Sequence, residues 1–194
     1  MARLTPHGSQ LGILYGLCKV HKSIEEKSPP FRTILSAIRT PSYEIAKFLV
    51  PILSDLTKNQ FVCKDSFSFA TDITKQNSEL FMTSFDIDSL FTNLPLNETI
   101  ELCVKKLFTR KKKVRGLNRK QFKTLLEFAT KKSFFLFNDK FYVQTDGVAM
   151  GCPLRPTLAN IFLCHWEELW LNKCPKQFRP TYYRRYMDDT FVLF

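Results

Sequence analysis

No apolar stretch in this sequence approaches the ~18 residues that carry a helix across a bilayer; Phe134-Phe135-Leu136-Phe137 is about the longest. The opening residues, Met1-Ala2-Arg3-Leu4-Thr5-Pro6-His7-Gly8, contain no apolar core of the kind a secretory signal carries. Secretion and membrane contact are therefore not expected, and an intracellular, nuclear setting is. Zinc-type cysteine spacing is also missing. Cys18, Cys63, Cys103, Cys152, Cys164 and Cys174 include no pair two to four residues apart, and a chain of this size has no need of disulfides. Reduced thiols are expected. Internal repeats and low-complexity linkers are absent as well. Acidic residues are comparatively few, 18 Asp and Glu against 29 Lys and Arg, which leaves a net charge of +11. Such an excess favours polyanionic partners, nucleic acid or nucleotide phosphates above all.

What is present is enough for a core. Of the 194 residues 44% are hydrophobic, 19 of them Phe, and a chain of this length buries ~70% of its unfolded surface. The positive charge is concentrated. Lys105, Lys106, Arg110, Lys111, Lys112, Lys113, Arg115, Arg119 and Lys120 fall in one tract without an acid, and removing them leaves 20 basic residues against 18 acidic ones. Two helix patterns flank the tract. Asn97 is placed to cap one carrying Ile100, Cys103, Val104, Leu107 and Phe108. Asn118 and Gln121 form a capping box for another, with Phe122, Leu125, Leu126 and Ala129 inward. The tract thus joins two helices on an exposed connection, as a phosphate-binding surface, a solvated loop or a nuclear-import signal.

Elsewhere the pattern predicts strands over 11–15, 31–37 and 80–86. It predicts a helix over 43–58 bent at Pro51, and a shorter helix over 65–77. Phe134–Phe137 and Phe141–Val143 flank Asn138-Asp139-Lys140, a hairpin signal. A turn containing Gly147, Gly151, Pro153 and Pro156 leads into a helix ending before Pro175. Strands over 181–186 and 190–194 close the chain around Met187-Asp188-Asp189. This order is a mixed α+β pattern.

Three acids stand out by their surroundings. Asp86 ends an apolar strand, and Asp188 and Asp189 interrupt another, where an unpaired carboxylate is expensive. Adjacent acids also repel. A divalent cation would neutralise them, and hard oxygen ligands suit Mg²⁺. If the two strands lie side by side the carboxylates converge. Two ions ~3.5–4 Å apart could then serve an in-line phosphoryl transfer to a 3′-hydroxyl.

These residues carry a family resemblance. Ser84-Phe85-Asp86-Ile87-Asp88-Ser89-Leu90-Phe91-Thr92-Asn93-Leu94-Pro95 resembles motif A of reverse transcriptases, and Tyr186-Met187-Asp188-Asp189 resembles motif C. Between them, Gln144 to Asn160 resembles motif B. Tyr15-Gly16-Leu17-Cys18-Lys19-Val20-His21-Lys22 and Phe31-Arg32-Thr33-Ile34-Leu35-Ser36 look like finger motifs 1 and 2. The wording is closest to Penelope-like retroelements, whose polymerase is related to telomerase.

The resemblance implies a fold and a set of roles. The fold is a fingers portion (1–75) and a palm (76–194), with an antiparallel palm sheet backed by helices. Asp86 and Asp188 would bind two Mg²⁺ (or Mn²⁺), with Asp189 an auxiliary ligand and the Ile87 carbonyl an extra one. Lys19, Lys22 and Arg32 would meet the triphosphate. Phe91 would stand as the gate that excludes a 2′-hydroxyl, or else as core packing. Gln144, Gly147, Met150 and Gly151 would form the template and nucleotide floor. The partners implied are an RNA template, a DNA primer and deoxynucleoside triphosphates.

Four positions depart from the family pattern: Cys18 and Thr33 where Pro is usual, Cys152 and Arg155 where Ser is. Arg155 places a long cation near the nucleotide floor. The sequence ends five residues past Asp189, so the thumb and nuclease regions that follow in such elements are not expected in it. Two functions follow: RNA-directed DNA polymerisation, or nucleic-acid binding without turnover in a degenerate element.

Overall fold

The structure, a computed structural model, describes residues 8–19, 30–131 and 133–194. It contains two antiparallel-rich sheets with five α-helices between and around them. None of the described helices is long and apolar enough to cross a membrane.

The first sheet has the order β2-β1-β4-β5. Strands β1 (Gly12–Cys18) and β2 (Phe31–Ser36) pair antiparallel from Ile13↔Ser36 to Cys18↔Phe31. β1 runs further than the expected 11–15, because β2 supplies ladder partners as far as Cys18. Strands β4 (Phe134–Phe137) and β5 (Lys140–Val143) form the hairpin that the turn chemistry predicts. Asn138 and Asp139 have φ of 49° and 58°, and a two-residue turn with both central residues left-handed matches the twist of the strands. Asn and Asp are the side chains that tolerate this region best. β4 then pairs parallel with β1 at Gly12↔Phe135 and Ile13↔Leu136. The expected division at 75/76 therefore does not separate the two sheets: the first draws strands from both sides of it.

Helix α1 (Pro41–Leu53) starts with Pro41 in its first turn, where the missing N–H costs nothing. Pro51 lies near its end, and the chain tightens into a 3₁₀ turn at Ser54–Thr57. The single bent helix expected over 43–58 is thus an α-helix followed by a 3₁₀ turn. α2 (Ser66–Ile73) is capped by Asp65, whose carboxylate accepts the Ser68 N–H at 2.8 Å. α3 (Leu96–Phe108) corrects the expected cap at Asn97: the helix starts before that residue, at Pro95. Pro95 sits at φ −73° and its carbonyl accepts both the N–H and the hydroxyl of Thr99, at 3.0 and 2.9 Å. α4 (Arg119–Lys131) shows the predicted reciprocal box. Asn118 N–H donates to Gln121 Oε1, and Gln121 N–H donates to Asn118 Oδ1, each at 3.0 Å. α5 (Arg155–Lys173) ends just before Pro175.

The second sheet has the order β3-β7-β6. β3 (Met82–Asp86) pairs with β7 (Asp189–Leu193), from Met82↔Leu193 to Asp86↔Asp189. β7 pairs in turn with β6 (Tyr182–Tyr186). The main core lies where α1, α3, α4 and α5 meet. Leu49, Leu53, Ile100, Val104, Phe122, Leu126, Leu158 and Ile161 are all essentially inaccessible there. Each contributes about 1.5–3 kcal/mol by burial, so the four helices form the rigid body that carries both sheets.

Because the box at Asn118 satisfies two otherwise orphaned N–H groups, Asn118→Ala is expected to cost about 1 kcal/mol. Thermal unfolding reads this as a lowered midpoint. An unchanged midpoint would mean that the cap contributes nothing.

Candidate active site

The two sheets face each other across a cavity of about 710 Å³. Pairing of β3 with β7 brings Asp86, at the end of β3, to the same cavity wall as Asp188, in the β6–β7 turn. The Ile87 N–H donates to the Asp188 carbonyl at 3.1 Å, so backbone joins the two acid-bearing segments directly. Neither carboxylate takes a hydrogen bond or an ion pair from a described residue, although both face the same space. Lys19, just past β1, and Arg32 and Thr33 of β2 also line it, as do Phe91 from the turn after β3, Met150 from the loop before α5 and Arg155 at the start of α5.

The floor is built by close backbone approach. Gly147, at φ +64°, lies beneath the Phe91 segment, where a Cβ would sit 2.6 Å from the Phe91 and Thr92 carbonyl oxygens. Val148 N–H donates to the Phe91 carbonyl at 3.1 Å. Gly151 N–H donates to the Leu35 carbonyl of β2 at 2.9 Å, and a Cβ there would stand 2.5 Å from that oxygen. The loop before α5 is therefore fastened to β2 and to the turn that follows β3, and only glycine permits either contact.

Arg155 begins α5 with its guanidinium carbon 3.6 Å from the centre of the Phe91 ring. Its Nη1 donates to the Met150 carbonyl at 3.4 Å, while Nε is buried without a partner among the described residues. Burial, and then the neighbouring Arg32, lower its pKa, with Asp188 opposing. Cys152, the other departure in this loop, is buried, with its thiol pushed up to about 11 by desolvation. It is a neutral packing group.

A family model described as reverse transcriptase (RNA-dependent DNA polymerase) matches residues 24–194. The chain belongs to the reverse transcriptase family. Solved telomerase structures share its fold. Apo telomerase of Candida tropicalis, truncated from its C-terminal domain, superposes with a TM-score of 0.61 at 15% identity over 94% of this chain and 43% of its own. Telomerase of Candida albicans, in complex with a TWJ fragment of telomeric RNA, gives 0.65 at 13% identity over 95% and 38%. This chain thus spans less than half the length of those telomerase chains. No curated protein matches its sequence. The α+β architecture is that of reverse transcriptase fingers and palm.

Within this reverse transcriptase core, the expected site residues divide. Asp86, Ile87, Asp188, Lys19, Arg32, Phe91 and Met150 line the one cavity. Gly147 and Gly151 do not line it themselves; they fasten the backbone on either side of Met150, which does. Gln144 does not reach it; its side-chain amide donates to the Asp146 carbonyl at 2.8 Å. Lys22 lies outside the described residues. Asp189 is the ladder partner of Asp86, yet it borders a different pocket, with Cys63, Asp65 and Arg184. Successive residues entering a strand diverge, so the expected convergence of three carboxylates becomes a pair with Asp189 apart. Among the described residues no three His, Cys, Asp or Glu side chains are grouped as a metal site would need.

Asp88 also lines the cavity and was missed by the sequence reading; its place two residues after Asp86 was the available signal. The basic tract stays away from the cavity. Lys105 and Lys106 lie in α3, Arg119 and Lys120 in α4, and Arg110, Lys111, Lys112, Lys113 and Arg115 on the connection. Val114, buried in the main core, pins that connection, and its bridge with Leu117 closes the connection on itself.

Gly147→Ala and Gly151→Ala force a methyl against backbone at these two fastenings. Each is expected to destabilise the protein by about 1–3 kcal/mol, measured by denaturant unfolding. A wild-type midpoint for both would show that the loop is not seated as described.

Proposed function

We propose that this chain is the nucleotide-adding core of an RNA-directed DNA polymerase from a Penelope-like retroelement, acting in the nucleus. It would transfer a deoxynucleotide to a primer 3′-hydroxyl on an RNA template. The observation that carries this reading is the β3–β7 register, which sets Asp86 and Asp188 on one cavity together with Lys19, Arg32 and Arg155.

The donor set fits divalent metal. Two carboxylates without partners among the described residues share one wall of a cleft, and such hard oxygen donors suit Mg²⁺ or Mn²⁺. Asp86 and Asp188 would hold the ions, with Ile87 beside them and Asp189 supporting from the neighbouring strand. Bound there, two ions supply Lewis-acid activation of the attacking hydroxyl and stabilisation of the leaving oxygen. The chain's own residues do the rest. Lys19 and Arg32, with Lys22 from the same motif, neutralise the triphosphate, the Arg through its planar fork. Phe91 fills the space a 2′-hydroxyl would need. Met150, on the floor made by Gly147 and Gly151, supports the base from below, with Gln144 bracing the start of that loop. The solved telomerase bound to an RNA fragment supports RNA as the nucleic acid such a palm handles.

A second reading rests on a separate observation. None of the nine cations of the 105–120 tract forms an ion pair among the described residues, and all but Lys106 are well exposed. Such a surface binds phosphates whether or not the cavity turns over, and a degenerate element would keep only this binding.

The polymerase reading is tested with the full-length protein on a primed RNA template. Asp188→Asn is expected to lower Mg²⁺- or Mn²⁺-dependent extension at least ~100-fold, and retained activity would remove the metal assignment. Phe91→Val should at the same time admit ribonucleotides. For the tract, replacing Lys111, Lys112, Lys113 and Arg115 by Ala should flatten the log–log salt dependence of RNA binding by about 3. An unaltered slope would place the binding surface elsewhere.

A further inference from the structure

We propose that Arg185 is the positioning residue for Asp188, holding the β6–β7 turn from inside the protein. This inference rests on the reading of Asp188 as a metal-binding carboxylate.

Arg185 lies in β6, on the face turned toward α5, and only 1% of it is exposed. A guanidinium has five N–H donors, and here each has an acceptor. Nε donates to Glu167 Oε1, and Nη2 donates to Glu167 Oε2 at 3.3 Å and approaches Cys164 Sγ at 3.7 Å. Nη1 donates to Asn160 Oδ1 and to the Met187 carbonyl, both at 2.8 Å. Glu167, Asn160 and Cys164 all belong to α5. One side chain therefore ties the helix following the cavity floor to the residue immediately before Asp188.

Met187 needs that hold. Its φ is +58°, a left-handed conformation that an unbranched, non-glycine residue adopts only against strain. The strained residue sets the direction in which Asp188 leaves the turn. The pair with Glu167 explains little by itself, because a buried ion pair is often no better than well-packed apolar side chains of the same volume. What apolar side chains cannot do is grip a carbonyl. Glu167 in turn accepts the Tyr183 hydroxyl at 3.0 Å and the Asn59 amide at 3.1 Å, so the carboxylate that orients Arg185 is itself fixed from two sides. This is the arrangement by which outer groups orient a ligand without touching the ion.

The test uses two variants of this chain. Arg185→Met/Glu167→Gln removes both charges together, and the new amide still meets Tyr183 and Asn59. Arg185→Lys keeps a cation beside Glu167 but lacks the fork that reaches Met187. Thermal unfolding checks that each remains folded. Hydrogen exchange over 186–190, and Mn²⁺ affinity by electron paramagnetic resonance, are the readouts. The expected result is faster exchange confined to that turn and a 10–100-fold weaker Mn²⁺ affinity, with α4 and α5 protected as in the wild type. Faster exchange in the turn of the variants, with a wild-type chain that binds no Mn²⁺, would uphold the hold by Arg185 and sink the metal reading instead. Folded variants with wild-type exchange and wild-type Mn²⁺ affinity would overturn the proposal. If the double variant fails to fold, the same pair of measurements on Arg185→Lys decides it alone.

Discussion

The antiparallel pairing of β3 with β7 is the constraint on which the site depends. It aligns Asp86 with Asp189 and lets Ile87 donate to the carbonyl of Asp188, so two carboxylates from distant parts of the chain share one wall. Like charges at ~4 Å in water repel by only about 1 kcal/mol, but far more strongly in a less polar cleft. Among the described residues no cation lies at contact distance from either acid. The backbone ladder therefore does the work of holding them, and the helical core has to keep that ladder fixed.

A second coupling runs through the loop before α5. Gly147 lies under the Phe91 backbone, and Gly151 lies on β2, so the loop cannot shift without moving both the Phe91 segment and the strand that carries Arg32. Arg32 lies in β2 and Phe91 in the turn after β3, yet their separation is set by one short segment of chain. This explains why the cavity keeps a defined width although its walls come from five separate stretches of sequence.

Local chemistry was readable in advance. The Asn118–Gln121 box and the Asn138-Asp139 turn each depend on residues within three positions of one another, and both formed as their side chains dictate. The start of α3 was misread because Asn97 is a good cap in isolation, whereas Pro95 had already fixed the entry of the chain. Pairing between distant segments left no local trace. The parallel contact of β1 with β4 joins Gly12 to Phe135, and nothing in either strand names the other. Asp86 and Asp188 could be singled out by their apolar neighbours, but the separation of Asp189 from them depended on how the strand begins. Arg185 was hidden for a different reason: a basic residue in a strand reads as surface, and its partner Glu167 sits in a helix whose pattern gave no sign of a buried acid.

Arg155 shows how a departure from a family pattern is absorbed. A long cation at the nucleotide floor would obstruct the cavity if it extended into it. Instead it lies flat on Phe91, 3.6 Å from the ring centre, where a partly desolvated guanidinium gains about 0.5–2 kcal/mol from the π face. That gain offsets some of the cost of leaving Nε without a partner. The stacked geometry also stiffens the ring at the position proposed to exclude a 2′-hydroxyl. It adds a third positive group to the cavity that Lys19, Arg32, Asp86, Asp88 and Asp188 also line. A cleft lined by both cations and carboxylates suits a ligand that itself carries both charges, and a metal-bound polyphosphate is such a ligand. On that reading the substitution at Arg155 leaves the character of the cavity intact and shifts its balance toward the anion.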